Sequence, residues 1–288
     1  MNTYHKLVKI IKAKQTAVPL TLNSKPTPGG QRIGVTPVAL HWACNPVQTV
    51  CLSLDTDTIH KGLELLDKCA PYICMVKLHP ELFIDWDTST HPQLIKQWSI
   101  QYNILIMLDA KLVDVPEISY RFLMNSHYRA NEWADMVTVM SVNYVTISDY
   151  LRTQGLLLVT IPVTEMNTGS PLFAQPEYQQ FIKDSVLSYP SIIGIINQKT
   201  YSACCPEPSG ERAFLKMTPG VVVYDSEITD NTHTSRYRTI KDAMFRDGND
   251  IVIIGGSLIN WSNKVNGLID KAKDAASESM QYSKFANY

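Results

Sequence analysis

The chain has 288 residues, 45% of them hydrophobic, and carries 26 basic against 27 acidic side chains. That length and apolar content suffice for one large core or two smaller ones. The balanced charge gives no global reason to expect nucleic acid or an anionic membrane as a partner, and no stretch is apolar for long enough to span a bilayer.

Residues 1–48 read as an extension. Thr3–Lys14 has the spacing of a short helix, and Ser24–Gly30 (Ser-Lys-Pro-Thr-Pro-Gly-Gly) is an extended segment. From Thr49 the texture changes. Short runs rich in Val, Ile and Leu read as buried parallel strands: Thr49–Leu54, Tyr72–Lys77, Asn103–Asp109, Ala134–Met140, Leu156–Thr164, Ser191–Asn197, Gly220–Asp225 and Asp250–Gly255. Helical spacing occupies Thr58–Cys69, Ser119–Arg129, Glu177–Leu187, Tyr237–Arg246 and Asn260–Ala276. Lys199–Lys216 is the irregular unit, because its prolines forbid one continuous helix. Strand–helix alternation of this kind predicts a single (β/α)8 TIM barrel over 49–279, with a tail over 280–288. The rival is an open doubly wound sheet, which usually announces a glycine-rich first turn. Here the first strand ends in Ser53-Leu54-Asp55.

The six cysteines, Cys44, Cys51, Cys69, Cys74, Cys204 and Cys205, show no paired CxxC spacing, and the seven histidines form no HxH or HxxxH pair. The expectation is no metal and buried thiols in a reducing, cytoplasmic compartment.

In a barrel of this type, chemistry sits at the C-terminal strand ends and the loops after them. Asp109-Ala110-Lys111-Leu112-Val113-Asp114 ends the third strand, and Lys77-Leu78-His79 ends the second. If both ends are extended, side chains two apart share a side, so Lys77, Asp109 and Lys111 are expected in one pocket. Alternating ammonium and carboxylate groups compensate the cost of burying each charge. Such a cluster can stabilise a carbanion and then protonate it. The alternative is a solvated surface ion-pair network.

These segments resemble orotidine 5′-phosphate decarboxylase, closest in style to its eukaryotic branch. The similarity is carried in order by Leu52-Ser53-Leu54-Asp55, Ile73 to His79, Asp109 to Asp114, Ala134-Asp135-Met136-Val137, Thr218-Pro219-Gly220-Val221 and Asp250 to Gly255. The resemblance implies decarboxylation of orotidine 5′-monophosphate to UMP in pyrimidine biosynthesis, without cofactor or metal. It implies that Lys111 protonates the C6 carbanion, that Asp109 lies beside the substrate carboxylate, and that Lys77 bridges the ribose and Asp109. Asp55 would bind a ribose hydroxyl, His79 would support the ribose or phosphate side, and Ser53 would lie close to the pyrimidine. Asp114 would enter the neighbouring subunit's site, which implies a homodimer.

Four departures from the family pattern fall at the substrate-binding end. The arginine that grips the substrate phosphate in Gly-Arg-Gly is replaced in Gly255-Gly256-Ser257. The gripper sequence Gln-Gln-Tyr stands as Ser235-Arg236-Tyr237. After Asp114, the family's Ile-Gly-Asn-Thr is Val115-Pro116-Glu117-Ile118, so the threonine that reaches across the dimer is gone. The pyrimidine-contacting serine after strand five appears as Asn167. Pro219, Tyr237, Gly256 and Ser257 remain the expected substrate-binding positions. Backbone N–H groups at Gly255–Ser257, or Arg236 and Arg238, are candidates to replace the missing cation. The alternative is that both arginines face water. Two further functions compete with the decarboxylase: an impaired barrel kept as a binding or structural module, and a related lyase acting on another substrate.

Overall fold

The computed structural model describes residues 48–102, 104–156, 158–166, 170–189, 192–198, 215–224, 237–259 and 265–282. The expected extension, apart from its last residue, and most of the irregular unit over 199–216 lie outside them. The barrel strands are β1 (Val50–Leu54), β2 (Met75–Leu78), β3 (Leu105–Leu112), β4 (Met136–Met140), β5 (Val159–Val163), β6 (Gly194–Ile196), β7 (Leu215–Thr218) and β10 (Ile251–Ile254). They close in the order β1-β10-β7-β6-β5-β4-β3-β2, with every pair parallel. Helices α1 (Ile59–Cys69), α2 (His91–Tyr102), α3 (Pro116–Asn125), α4 (Tyr144–Thr153) and α5 (Pro176–Phe181) stand between strands, and α6 (Gly256–Ile259) and α7 (Val265–Tyr282) follow β10. The expected (β/α)8 barrel is the fold.

The period of two in the strands sorts their side chains into two cores. Cys51, Met75, Met107, Met136, Met217 and Ile251 face inward and pack in the barrel interior. Leu52, Val76, Leu108, Val137 and Val252 face outward to the helix layer, where Leu65, Leu66 and Ile147 meet them. Each such side chain contributes about 1.5–3 kcal/mol on burial. Methionine suits the interior, since its unbranched thioether fills irregular gaps. The same period sets the chemistry. Ser53, Lys77, Asp109 and Thr138 each follow an inward-facing residue (Cys51, Met75, Met107 or Met136) by two positions. They therefore form the next layer up, at the C-terminal mouth.

The seventh strand departs from expectation. It is Leu215–Thr218, not Gly220–Asp225. Pro219 has no N–H for a ladder, and Gly220 adopts φ +71°, which turns the chain away. Val221-Val222 (β8) then pairs with Arg238-Thr239 (β9) in a separate two-stranded sheet. The charge of Lys216 disguised the true strand. Its neighbours Leu215 and Met217 enter the interior core, and its own N–H donates to Asp250 Oδ2 at 2.9 Å.

Helices α2 and α4 have no counterpart in the expected elements. The buried face of α2 includes His91, Pro92 and Ser99, which dilute its apolar stripe. In α4, Val145-Thr146-Ile147 is a β-branched run that reads as a strand. The helix expected over Glu177–Leu187 is α5 continued by a π-turn at Ile182–Val186, and that over Tyr237–Arg246 is β9 followed by a π-turn at Asp242–Arg246. Helix α7 runs on to Tyr282, where Ser279, fully buried, accepts a hydrogen bond from Thr49. None of the helices described is long and apolar enough to cross a membrane.

Candidate active site

Asp109 is the hub of the mouth. It is only 8% exposed, and both carboxylate oxygens are engaged. Oδ2 accepts from Lys77 Nζ at 2.7 Å and lies 3.0 Å from His79 Nε2. Oδ1 lies 2.8 Å from Lys111 Nζ and accepts from Thr138 Oγ1 at 2.8 Å. Burial alone would raise the Asp109 pKa. The His79 hydrogen bond and the charges of Lys77 and Lys111 outweigh it and hold the carboxyl well below the usual range. Asp109 therefore stays a carboxylate at any physiological pH and cannot serve as a proton donor.

His79 is clamped from both ring nitrogens, with Nδ1 2.8 Å from Glu81 Oε1 and Nε2 2.9 Å from Lys77 Nζ. Burial disfavours the imidazolium, but hydrogen bonds to Asp109 and Glu81 prevail over it, so the His79 pKa lies above its ordinary value. When protonated, the ring donates to both carboxylates. When neutral with its proton on Nδ1, it accepts from Lys77.

Asp109 and Lys111 do meet, although not through the alternation of an extended strand. The β3–β4 register passes from Leu108 opposite Val137 to Leu112 opposite Val139, so β3 advances four residues while β4 advances two. Lys111 sits within this bulge at φ +47°, a left-handed conformation rare for a non-glycine residue. The bulge swings its side chain over Asp109.

Ser53 Oγ donates toward both oxygens of Asp55, at 3.2 and 3.1 Å. The end of β10 closes against them. A Cβ at Gly255 would come within 3.3 Å of Asp55 Oδ2 and of Ser53 Cβ, so a larger residue there would press on this pair.

Asp114 does not join the cluster within one chain. It is exposed, and its Oδ1 accepts from Val115 N at 2.6 Å. Exposed Val113, Val115 and Ile118 flank it. On the opposite side of the mouth, Pro219 is half-buried and Tyr237 exposed, Gly256 opens the four-residue α6, and Ser257 Oγ accepts from Val223 N at 3.1 Å. Arg238 does not face water, so the expectation of a solvated arginine fails for it. Its Nη1 donates to Asp247 Oδ2 at 2.5 Å, and its Nη2 donates to Thr218 Oγ1. Asn167 and Arg236 lie outside the described residues.

Burial pushes the Cys69 and Cys74 thiols up to about 12, so both behave as small hydrophobes. Among the described residues, no three His, Cys, Asp or Glu side chains are grouped to hold a metal ion. Sequence reasoning missed Thr138 and Glu81. The available signals were a lone hydroxyl in the apolar run Met136–Met140 and a carboxylate two residues beyond His79.

Comparison with known proteins adds to this geometry. The family model described as Orotidine 5′-phosphate decarboxylase / HUMPS family matches residues 48–268. The orotidine 5′-phosphate decarboxylase of Eremothecium gossypii is 28% identical over 244 residues, covering 82% of this chain and 83% of that protein. The enzyme of the same name from Candida maltosa is 25% identical over 269 residues, covering 90% and 91%. Among solved structures, orotidine 5′-phosphate decarboxylase from Pyrococcus horikoshii OT3 superposes with a TM-score of 0.57 at 20% identity, over 80% of this chain and 98% of that one. At that identity the likeness speaks for the fold.

Proposed function

The chain belongs to the orotidine 5′-phosphate decarboxylase / HUMPS family, and from that premise we propose that it removes carbon dioxide from orotidine 5′-monophosphate to give UMP. The observation that carries this reading is the buried Asp109 carboxylate held between Lys77, His79 and Lys111.

The chemistry follows from the charges. The substrate carboxylate is placed beside Asp109, whose depressed pKa keeps it anionic, so the two repel in the ground state. The C6–carboxylate bond breaks, its electron pair stays on C6, and carbon dioxide leaves. The negative charge then sits opposite the Lys111 ammonium, which donates a proton to C6 and is reprotonated from water. The donors are fixed before substrate arrives, so little reorganisation is needed. Lys77 and His79 hold Asp109 in place, and Ser53 and Asp55 offer polar groups to the pyrimidine and ribose. The mechanism calls for no cofactor.

Asp114 acts in a second copy of the chain. Its exposure, beside the apolar Val113, Val115 and Ile118, suits a surface covered by dimerisation. The substrate phosphate falls on the side of Pro219, Tyr237, Gly256 and Ser257.

A second reading, a related lyase whose substrate lacks the phosphate, is favoured by one observation. Gly256 offers no side chain at that end, and Arg238 is committed to Asp247. The two readings separate when purified protein is given orotidine 5′-monophosphate, or orotidine, and the loss of ultraviolet absorbance is followed. Turnover of the nucleotide that falls about a hundred- to ten-thousandfold in Lys111→Ala supports the first reading. Turnover of orotidine alone supports the second. No turnover of either leaves the barrel as a binding module.

A further inference from the structure

We infer that Thr138 is a positioning residue for the reaction: its hydroxyl pins the β3 bulge and thereby sets Lys111 against Asp109. The inference rests on the decarboxylase reading and adds a residue to it.

Where β3 bulges, the Lys111 N–H has no carbonyl of β4 in register, and a buried N–H without a partner is costly. Thr138 supplies the partner: its Oγ1 accepts from Lys111 N at 2.8 Å. The same oxygen donates its proton to Asp109 Oδ1, also at 2.8 Å. One hydroxyl thus spans the backbone of the proton donor and the carboxylate that faces the substrate. Thr138 has no exposed surface, so water does not compete for either bond. The β-branched side chain restricts χ1 within a strand, which fixes the direction of Oγ1.

The consequence is directional. The Lys111 side chain leaves the backbone from a left-handed residue, and this conformation persists only if its surroundings enforce it. Without the hydroxyl, Lys111 is free to relax toward an extended conformation, which carries Nζ away from Asp109 Oδ1. Ground-state binding depends on other contacts, so the loss falls on the chemical step.

Thr138→Val keeps the shape and removes the hydroxyl. On orotidine 5′-monophosphate it should lower kcat about ten- to a hundredfold, the effect of one hydrogen bond to a charged group, and leave KM nearly unchanged. Thr138→Ser should restore kcat. In a Lys111→Ala background the valine substitution should have little further effect, because the residue through which Thr138 acts is gone. Hydrogen exchange at the Lys111 amide, slow in wild type and in Thr138→Ser, should accelerate in Thr138→Val. If the valine variant does not fold, Thr138→Cys puts a weaker donor and acceptor at the same position and should lower kcat in the same direction. Wild-type kcat in the valine variant, or equal impairment in the serine variant, overturns the inference. An inactive wild type overturns the decarboxylase reading instead, and the Lys111 amide then decides the positioning alone, with unchanged exchange in Thr138→Val counting against it.

Discussion

The two sides of the barrel mouth treat charge in opposite ways. On the β2–β4 side, Lys77, His79 and Lys111 converge on one buried carboxylate at 2.7–3.0 Å. On the β7–β10 side, Arg238 is turned into the scaffold toward Asp247, and glycine occupies position 256. In the proposed reading, reactive chemistry and the grip on the far end of the substrate are therefore carried by different strands, and one can be altered while the other stays intact. An open barrel mouth permits this because each strand end contributes side chains independently.

Breaking the first side should have the largest effect. Lys111→Ala removes the proposed proton donor and should cost about 3–5 kcal/mol in transition-state stabilisation, read as kcat on orotidine 5′-monophosphate. On the other side, Arg238→Ala should act on stability. The pair it forms with Asp247 is 13% and 7% exposed; Asp247 keeps its second partner, Arg246 Nε at 2.8 Å, so the loss should lower the unfolding free energy by about 1.5–3 kcal/mol in urea titration. A fall in phosphate-dependent affinity with unchanged stability would return Arg238 to the substrate site.

Gly256→Arg sharpens the contrast. A new cation at the end of β10 should tighten UMP binding by about 1.5–3 kcal/mol in calorimetry, with no gain for uridine. Equal gain for both ligands would show that position 256 does not face the phosphate.

The smallest effect concerns Glu81. The His79 pKa is raised in the fold, so the stability it contributes is present below its unfolded pKa and is lost as pH rises through the folded value. Glu81→Gln should lower the His79 pKa, which NMR titration can follow. It should destabilise the protein by about 0.5 kcal/mol between about pH 5 and 6.5, a modest figure because Glu81 is half-exposed. At alkaline pH the variant and wild type should converge.

The sequence made the barrel legible wherever a strand was a short, mainly apolar run, as in Val50–Leu54 and Ile251–Ile254. It failed at β7, where a buried lysine interrupted the pattern and Pro219-Gly220 displaced the more apolar stretch. The lysines and Asp109 were legible as a spaced motif, but the reason they meet was not. Period-two reasoning reached the pairing of Asp109 with Lys111 through a geometry that the bulge replaces. Thr138 was hidden for the same cause: its partners are set by a register shift between two strands, and residue spacing within one strand carries no record of it. Asp114 is legible only as a motif position, because its exposed carboxylate meets nothing of the cluster within one chain.

The most direct test of the assignment is the fate of C6. Orotidine 5′-monophosphate incubated with the protein in deuterium oxide should release carbon dioxide and yield UMP deuterated at C6, and Lys111→Ala should abolish most of that product. A wild-type protein that forms no deuterated UMP, or a Lys111→Ala variant that forms it as fast as wild type, contradicts a decarboxylation carried by the Asp109-centred cluster.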